Sequence, residues 1–189
     1  MLRIEQYHCC FKPLKDRHSL ETFARGIYLL QTLGIHYWID AGTLLGLYRD
    51  GQLIPHDSDI DVSTDQKEKA LEIETAFVRN GFNLIRRVTD GNETVQLAFE
   101  DVEYCRVIFD IEFYKKVGDE WLRDSESGTL VLPDKFYKAM APRQFKLGVF
   151  NCPEPIEEYL ELRYGNGWKV PYEVKTPWQD YTFNLRKPI

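Results

Sequence analysis

The stretch Trp38-Ile39-Asp40-Ala41-Gly42-Thr43-Leu44-Leu45-Gly46, continued through Leu47 to Leu53 into Ile54-Pro55-His56-Asp57-Ser58-Asp59-Ile60-Asp61, decides how this chain is read. An apolar run ends at a small-residue turn, a short helix-forming segment follows, and three carboxylates then recur at a spacing of two. Residues two apart lie on one face of a β-strand, so an extended run brings Asp57, Asp59 and Asp61 to one point. Close carboxylates repel unless a positive charge stands among them, and a divalent cation is the usual solution. The turn before them adds a second signal, because backbone N–H groups and the dipole at a helix N-terminus attract anions. Gly42 permits close backbone approach and Thr43 adds a hydroxyl. The stretch reads as a metal-dependent site for handling phosphate groups.

The flanking segments supply a mixed α/β frame. Leu20, Phe23, Ala24, Ile27, Leu30 and Leu33 follow helical spacing, with Ser19 as cap and Gly34 as stop. Residues 36–40 read as a short strand, 43–49 as a second helix, and Ile60 and Val62 alternate with Asp59 and Asp61 as in a strand with one buried face. Asp65-Gln66-Lys67-Glu68 has the form of a capping box opening a helix to about Asn80, closed by Gly81. A hairpin follows, 82–89 with 93–100, turning at Asp90-Gly91-Asn92. Further strands are expected at 104–114, 120–123, 129–132 and 145–150, then a helix at 154–164. The tail from Gly165 is irregular, with Trp168, Trp178 and Phe183 expected to anchor it to the body of one domain spanning 1–189.

The strand at 104–114 supplies a partner for the aspartates. Cys105, Val107, Phe109, Ile111 and Phe113 make one apolar face, while Arg106, Asp110 and Glu112 share the other with Tyr104, Ile108 and Tyr114. Mg²⁺ prefers oxygen ligands and often takes one or two carboxylates plus substrate phosphates. A further carboxylate then takes the proton from an acceptor hydroxyl, a division of labour suited to phosphoryl transfer. Asp110 or Glu112 fits that place; Glu112 alternatively pairs with Arg106. Arg49 suits a donor phosphate as well as it suits a helix C-terminus. His56 bonds substrate or a neighbouring carboxylate, and Asp40 is expected mainly as a cap. Lys135, Lys138, Arg143 and Lys146 read as solvated surface, and Tyr159, Tyr164 and Trp168 as core anchors.

Composition removes several classes. The 189 residues are 43% hydrophobic and 29% charged, ordinary for a globular domain, and a net charge of −6 gives no electrostatic reason to bind nucleic acid. Cys9, Cys10, Cys105 and Cys152 show no zinc spacing and read as reduced thiols. Asn92-Glu93-Thr94 fits a glycosylation acceptor, but Met1-Leu2-Arg3-Ile4-Glu5 has no apolar signal character and no membrane-spanning run follows, so a cytoplasmic setting is expected.

Three separated blocks resemble the LicD family, which includes bacterial phosphocholine transferases and the related fukutin and fukutin-related proteins. Gly42-Thr43-Leu44-Leu45-Gly46, Arg49 and Ile54-Pro55-His56-Asp57-Ser58-Asp59-Ile60-Asp61 look like its signature, with His56 where Trp is usual. Ile108-Phe109-Asp110-Ile111 looks like its second acidic strand, and Tyr159-Leu160, Tyr164-Gly165, Trp168 and Pro171 like its C-terminal block. The resemblance implies a nucleotidyltransferase-type fold with a small mixed sheet carrying the acidic residues between helices. It also implies a CDP-linked donor whose phospho-substituent, phosphocholine or a phospho-alditol, passes to a sugar hydroxyl of a glycan or glycolipid with release of CMP. Carried over by position, Asp59 and Asp61 bind Mg²⁺ or Mn²⁺, Asp110 completes the catalytic set, and Asp57 is a further metal candidate. Gly42, Thr43, Arg49, His56 and Glu112 are the candidate substrate-binding residues. Two alternatives stand beside this reading: nucleotidyl transfer from a nucleoside triphosphate to a hydroxyl, and nucleotide binding without catalysis.

Overall fold

The computed structural model describes residues 2–6, 17–55, 57–103, 107–125, 128–171 and 185–186. In chain order it contains β1 (Leu2–Gln6), α1 (Arg17–Thr32), β2 (Tyr37–Ile39), α2 (Ala41–Arg49), β3 (Asp59–Thr64), α3 (Ala70–Arg79), β4 (Phe82–Asp90) and β5 (Glu93–Asp101). There follow β6 (Ile108–Phe113), β7 (Lys115–Val117), β8 (Glu120–Ser125), β9 (Gly128–Pro133), α4 (Lys135–Lys138), β10 (Ala141–Phe145), β11 (Gly148–Cys152), α5 (Ile156–Tyr164) and β12 (Leu185–Arg186). The main sheet has six strands in the order β1-β4-β5-β6-β3-β2; β3 and β6 run parallel and every other neighbouring pair antiparallel. A second sheet orders β12-β9-β8-β7, and β10 and β11 form a hairpin.

Helices α1 and α3 cover one face of the main sheet. Gly26 of α1 lies so close to Phe109 that an added Cβ would sit 2.2 Å from its ring. Phe77 of α3 stacks on Phe99 of β5 with ring centroids 4.6 Å apart. Phe109 and Ile111 are fully buried in this layer, but Asp110 and Glu112 on the opposite face are almost as deeply buried. The second sheet joins through aromatic packing, with Trp121 of β8 stacked on Tyr137 at 4.7 Å and Trp38 edge-on to both.

Several boundaries differ from the sequence reading. Ser19 lies inside α1 and is buried, because the inward stripe runs through Ser19, Thr22, Phe23, Ile27 and Leu30 while Leu20 faces outward. Thr22 donates to the buried Asp101 carboxylate at 3.0 Å, which lets a polar residue occupy that stripe. Asp65 caps no helix. Gln66 instead accepts the His36 N–H at 2.7 Å and Asp65 faces His36 Nδ1 at 3.2 Å, so the segment is tied to β2. A short 3₁₀ turn, Lys67–Lys69, intervenes before α3. Residues 145–150 hold a turn rather than one strand: Gly148 takes φ +147, and Phe145 and Phe150 close on each other with centroids 6.3 Å apart.

Gly34 and the Gly91 turn fall where expected, both with positive φ. Trp168 is buried, and the expectations for Trp178, Phe183, Tyr104, Arg106, Cys9, Cys10 and Cys105 lie outside the described residues. Cys152 is a free, buried thiol, pushed up to about 12 by burial. Among the described residues no helix is long and apolar enough to cross a membrane.

Candidate active site

Asp59 and Asp61 project from the same face of β3, and the connector from α2 brings Asp57 beside them. One carboxylate oxygen from each of Asp57, Asp59 and Asp61 lies within 4.8 Å of the other two. Parallel pairing of β3 with β6 sets Asp110 directly opposite Asp61. Asp110 is 7% exposed; its Oδ2 accepts from Gln96 Nε2 at 2.6 Å, while Oδ1 has no hydrogen-bond partner.

The turn that begins α2 is built around this cluster. Gly42 donates its N–H to Asp61 Oδ2 at 2.9 Å, and the Thr43 hydroxyl accepts the Asp61 N–H at 2.8 Å. The helix N-terminus that the sequence offers to an anion thus holds the Asp61 carboxylate. A Cβ at Gly42 would meet Asp57 Oδ2 at 2.3 Å and Asp61 Oδ2 at 3.2 Å, so any other residue here displaces the Asp57 carboxylate. Ala41 takes φ +42, a left-handed backbone at the first residue of the helix.

Asp40 anchors this turn, and its reach exceeds that of a cap. It is fully buried and accepts the Ala41 N–H at 2.7 Å. It also accepts Ser63 Oγ and Tyr114 OH, each at 2.9 Å, Arg163 Nη1 at 3.2 Å, and the Tyr159 hydroxyl. Asp40 therefore binds α2, β3, the residue after β6, and α5 into one polar knot behind the acidic cluster. Burial alone would raise its carboxyl, but the Arg163 charge and these hydrogen bonds outweigh that and hold it below the usual range.

The cluster itself is electrostatically the reverse. Burial, then Asp61, Asp57 and Asp110, push Asp59 well above the carboxylate range. Asp61 is raised in the same way, by burial and then by Asp57, Glu112 and Asp110. Burial and the Glu112 charge push Asp110 to about 7, against the Gln96 bond and the charges of Arg86 and Arg123. The donor set is all carboxylate oxygen, the chemistry of a hard divalent cation and not of a soft metal. The three convergent oxygens and the missing Cβ at Gly42 fit such an ion.

Other candidates stand apart from the triad. Glu112 pairs with Arg123 of β8 at 2.6 Å, both nearly buried. Arg49 clasps Asp50 through Nε at 2.9 Å and Nη2 at 2.7 Å, and donates to the Trp168 carbonyl at 3.2 Å. These contacts tie the turn after α5 to the end of α2. His56 lies outside the described residues. Lys135, Lys138 and Arg143 pair with Glu158, Asp134 and Glu154. Sequence reasoning missed Gln96, Tyr114, Arg123 and Arg163 as parts of the site. The Tyr159/Arg163 spacing of four places both on one helix face, a usable signal; Gln96 needed the strand register.

Comparisons with known proteins bear on the same residues. A human protein named ribitol-5-phosphate transferase FKTN is 28% identical over 155 residues, covering 78% of this chain and 32% of its own length. The human ribitol 5-phosphate transferase FKRP is 26% identical over 171 residues, covering 84% of this chain and 32% of its own. The chain thus spans about a third of the length of these relatives. A solution structure of the antibiotic-resistance factor ANT(2'')-Ia overlaps 73% of this chain and 66% of its own, with a TM-score of 0.49 and 13% identity. The family model described as LicD/FKTN/FKRP, nucleotidyltransferase domain, matches residues 34–155, which include Asp40, the acidic triad and Asp110. That match takes in more than half of the sequence, and the chain belongs to the LicD family.

Proposed function

We propose that this chain is a transferase that moves a phospho-substituent from a CDP-linked donor to a hydroxyl of a glycan or glycolipid, releasing CMP. One observation carries the proposal: in a LicD-family chain, three carboxylates converge within 4.8 Å while a fourth, Asp110, stands opposite Asp61 across paired strands. The CDP-linked donor follows from the family resemblance, and the names of the human relatives support a phospho-alditol as the group moved.

Asp57, Asp59 and Asp61 would hold Mg²⁺ or Mn²⁺. When bound, such an ion offsets the negative charge of the donor diphosphate and of the departing CMP. The Gly42 N–H and Thr43 hydroxyl keep Asp61 in place for that task. Asp110 accepts the proton of the acceptor hydroxyl. The acceptor oxygen's lone pair forms the new O–P bond, the bond from that phosphorus to the bridging oxygen breaks, and its electron pair leaves on CMP. Gln96 orients Asp110 through its 2.6 Å bond, leaving Oδ1 for the hydroxyl.

The test is incubation with Mg²⁺, glycan acceptors and CDP-ribitol, CDP-glycerol or CDP-choline, with CMP followed by chromatography. Wild-type protein should release CMP in an acceptor-dependent way, and Asp59→Asn and Asp61→Asn should each abolish it. Pyrophosphate released from a nucleoside triphosphate would identify nucleotidyl transfer instead. Tight nucleotide binding without turnover of any donor would rule out catalysis.

A further inference from the structure

The register of β4 breaks between Leu84 and Arg86, beside the acidic cluster. Leu84 pairs with Phe99 and Arg86 with Ala98, so Ile85 is an extra residue inserted in the strand. Such a bulge re-aims side chains, and bulges concentrate near active sites. Here Leu84 packs toward the main core, while Ile85 joins Ala98 and Ile108 in a small separate apolar cluster on the other face.

The bulge also sets Arg86 in line with the site. Strand pairing gives one lateral row across five strands: Gln6, Arg86, Ala98, Asp110 and Asp61. Residues in such a row point to the same side of the sheet. Arg86 and Asp110 lie two strands apart, about 10 Å between backbones. The residue between them is alanine, whose small side chain leaves the space over it open.

That space is a cavity of about 50 Å³ lined by Gln6, Asp59, Ile85, Arg86, Ala98, Ile108 and Asp110. Its lining combines apolar Ile85, Ala98 and Ile108 with Arg86, Asp59 and Asp110, and Asp110 is buried with Oδ1 unpartnered. We propose that this cavity is the acceptor subsite and that it takes a hydroxymethyl group, the primary alcohol of a sugar or polyol. A hydroxyl donates one hydrogen bond and accepts others, so it can donate to Asp110 Oδ1 while accepting from Arg86. Its methylene rests on Ile85, Ala98 and Ile108. A water occupies roughly 10–15 Å³ by the same measure, so the cavity admits a few heavy atoms and not a pyranose ring. A bare phosphate is disfavoured because Asp59 and Asp110 line the same space. Ala98 is then the specificity-determining residue, and Arg86 a binding residue.

The catalytic meaning of the subsite rests on the transfer reading above; its occupancy does not. The experiment is methyl NMR on Mg²⁺-loaded protein, following the Ile85 and Ile108 δ-methyl signals during titration with ribitol, methyl β-glucoside or methyl β-xyloside. The xyloside differs from the glucoside only in lacking the hydroxymethyl. Ribitol and the glucoside should shift both signals saturably, with the xyloside weaker by about tenfold or more. Ala98→Leu, which fills the cavity, and Arg86→Gln, which leaves it open, should each weaken ribitol by a similar factor. The loss of ribitol affinity should exceed any change in Mn²⁺ affinity, which reports on Asp59 in the same lining. No shift with ribitol, equal binding of the xyloside, or ribitol affinity unchanged in both variants would overturn the subsite. Ribitol binding without CMP release from any donor would sink the transfer reading and leave the subsite standing. Acceptor-dependent CMP release with unchanged acceptor KM in both variants would do the opposite.

Discussion

Asp40→Asn is the substitution whose cost the structure defines most closely. The side chain keeps its shape and one carbonyl oxygen, so it can still accept the Ala41 N–H that starts α2. It loses the charge that faces Arg163, 5% exposed, and it introduces an amide N–H among groups that already donate to it. The Tyr114 and Tyr159 hydroxyls can rotate to accept, but a guanidinium cannot. Removing one partner of a buried ion pair costs about 3–5 kcal/mol, chiefly through the stranded charge. Against a total of about 5–15 kcal/mol for a domain, that is a large fraction. Urea unfolding at pH 7 should show a much lower midpoint with unchanged m-value. Arg163→Met alone should also destabilise, yet the double variant should recover at least about 2 kcal/mol of the summed loss, because the stranded charge is gone. A loss under about 1 kcal/mol for Asp40→Asn, or strict additivity in the double variant, would refute the reasoning.

The acidic cluster yields three further expectations. Gly42→Ala drives a Cβ to 2.3 Å from Asp57 Oδ2, so Mn²⁺ affinity read by calorimetry should fall by about tenfold or more; unchanged affinity would mean the carboxylates do not depend on that turn. Asp59, Asp61 and Asp110 hold protons more tightly folded than unfolded, so metal-free protein should lose stability as pH rises from about 4 toward about 7. Thermal melts in EDTA should show that decline and melts in excess Mg²⁺ should not, whereas a flat EDTA profile would contradict it. Asp59→Asn should raise the metal-free stability by roughly 1 kcal/mol or more, by removing one of several like charges; a lower midpoint than wild type in EDTA would count against the electrostatic account.

How much of this was legible in the sequence varied with the range of the interaction. Local signals held. The spacing of Asp57, Asp59 and Asp61, the glycine at 42 and the alternation through Ile60 and Val62 are properties of one short segment, and the cluster follows from them. The capping box at Asp65 failed because the real partner of that segment, His36, is a tertiary one. The Glu112–Arg123 pair was not foreseen, since pairing across sheets leaves no trace in spacing. Asp40 was legible as a cap, which is a local role, but not as the acceptor for Tyr114, Tyr159 and Arg163 from distant parts of the chain. The bulge at Ile85 was invisible for the same reason, because a bulge exists only relative to a partner strand.

The acids at the centre of this fold divide into two kinds, and the division argues for the proposed chemistry. Asp40 has Arg163, and Glu112 has Arg123, each a guanidinium delivered from a remote element and buried with its partner. Among the described residues no lysine or arginine forms an ion pair with Asp59 or Asp61; their neighbours are other carboxylates. A chain able to bring arginines to two buried acids could have neutralised these half-buried ones as well. Leaving them uncompensated destabilises the folded state unless a cation arrives from solution, and such local conflict with the rest of a well-satisfied core concentrates at functional sites. The arginine-paired acids hold the frame at all times. Under the proposed metal role the triad needs a cation to balance it, so Asp59→Asn should strengthen the metal-free fold while abolishing transfer.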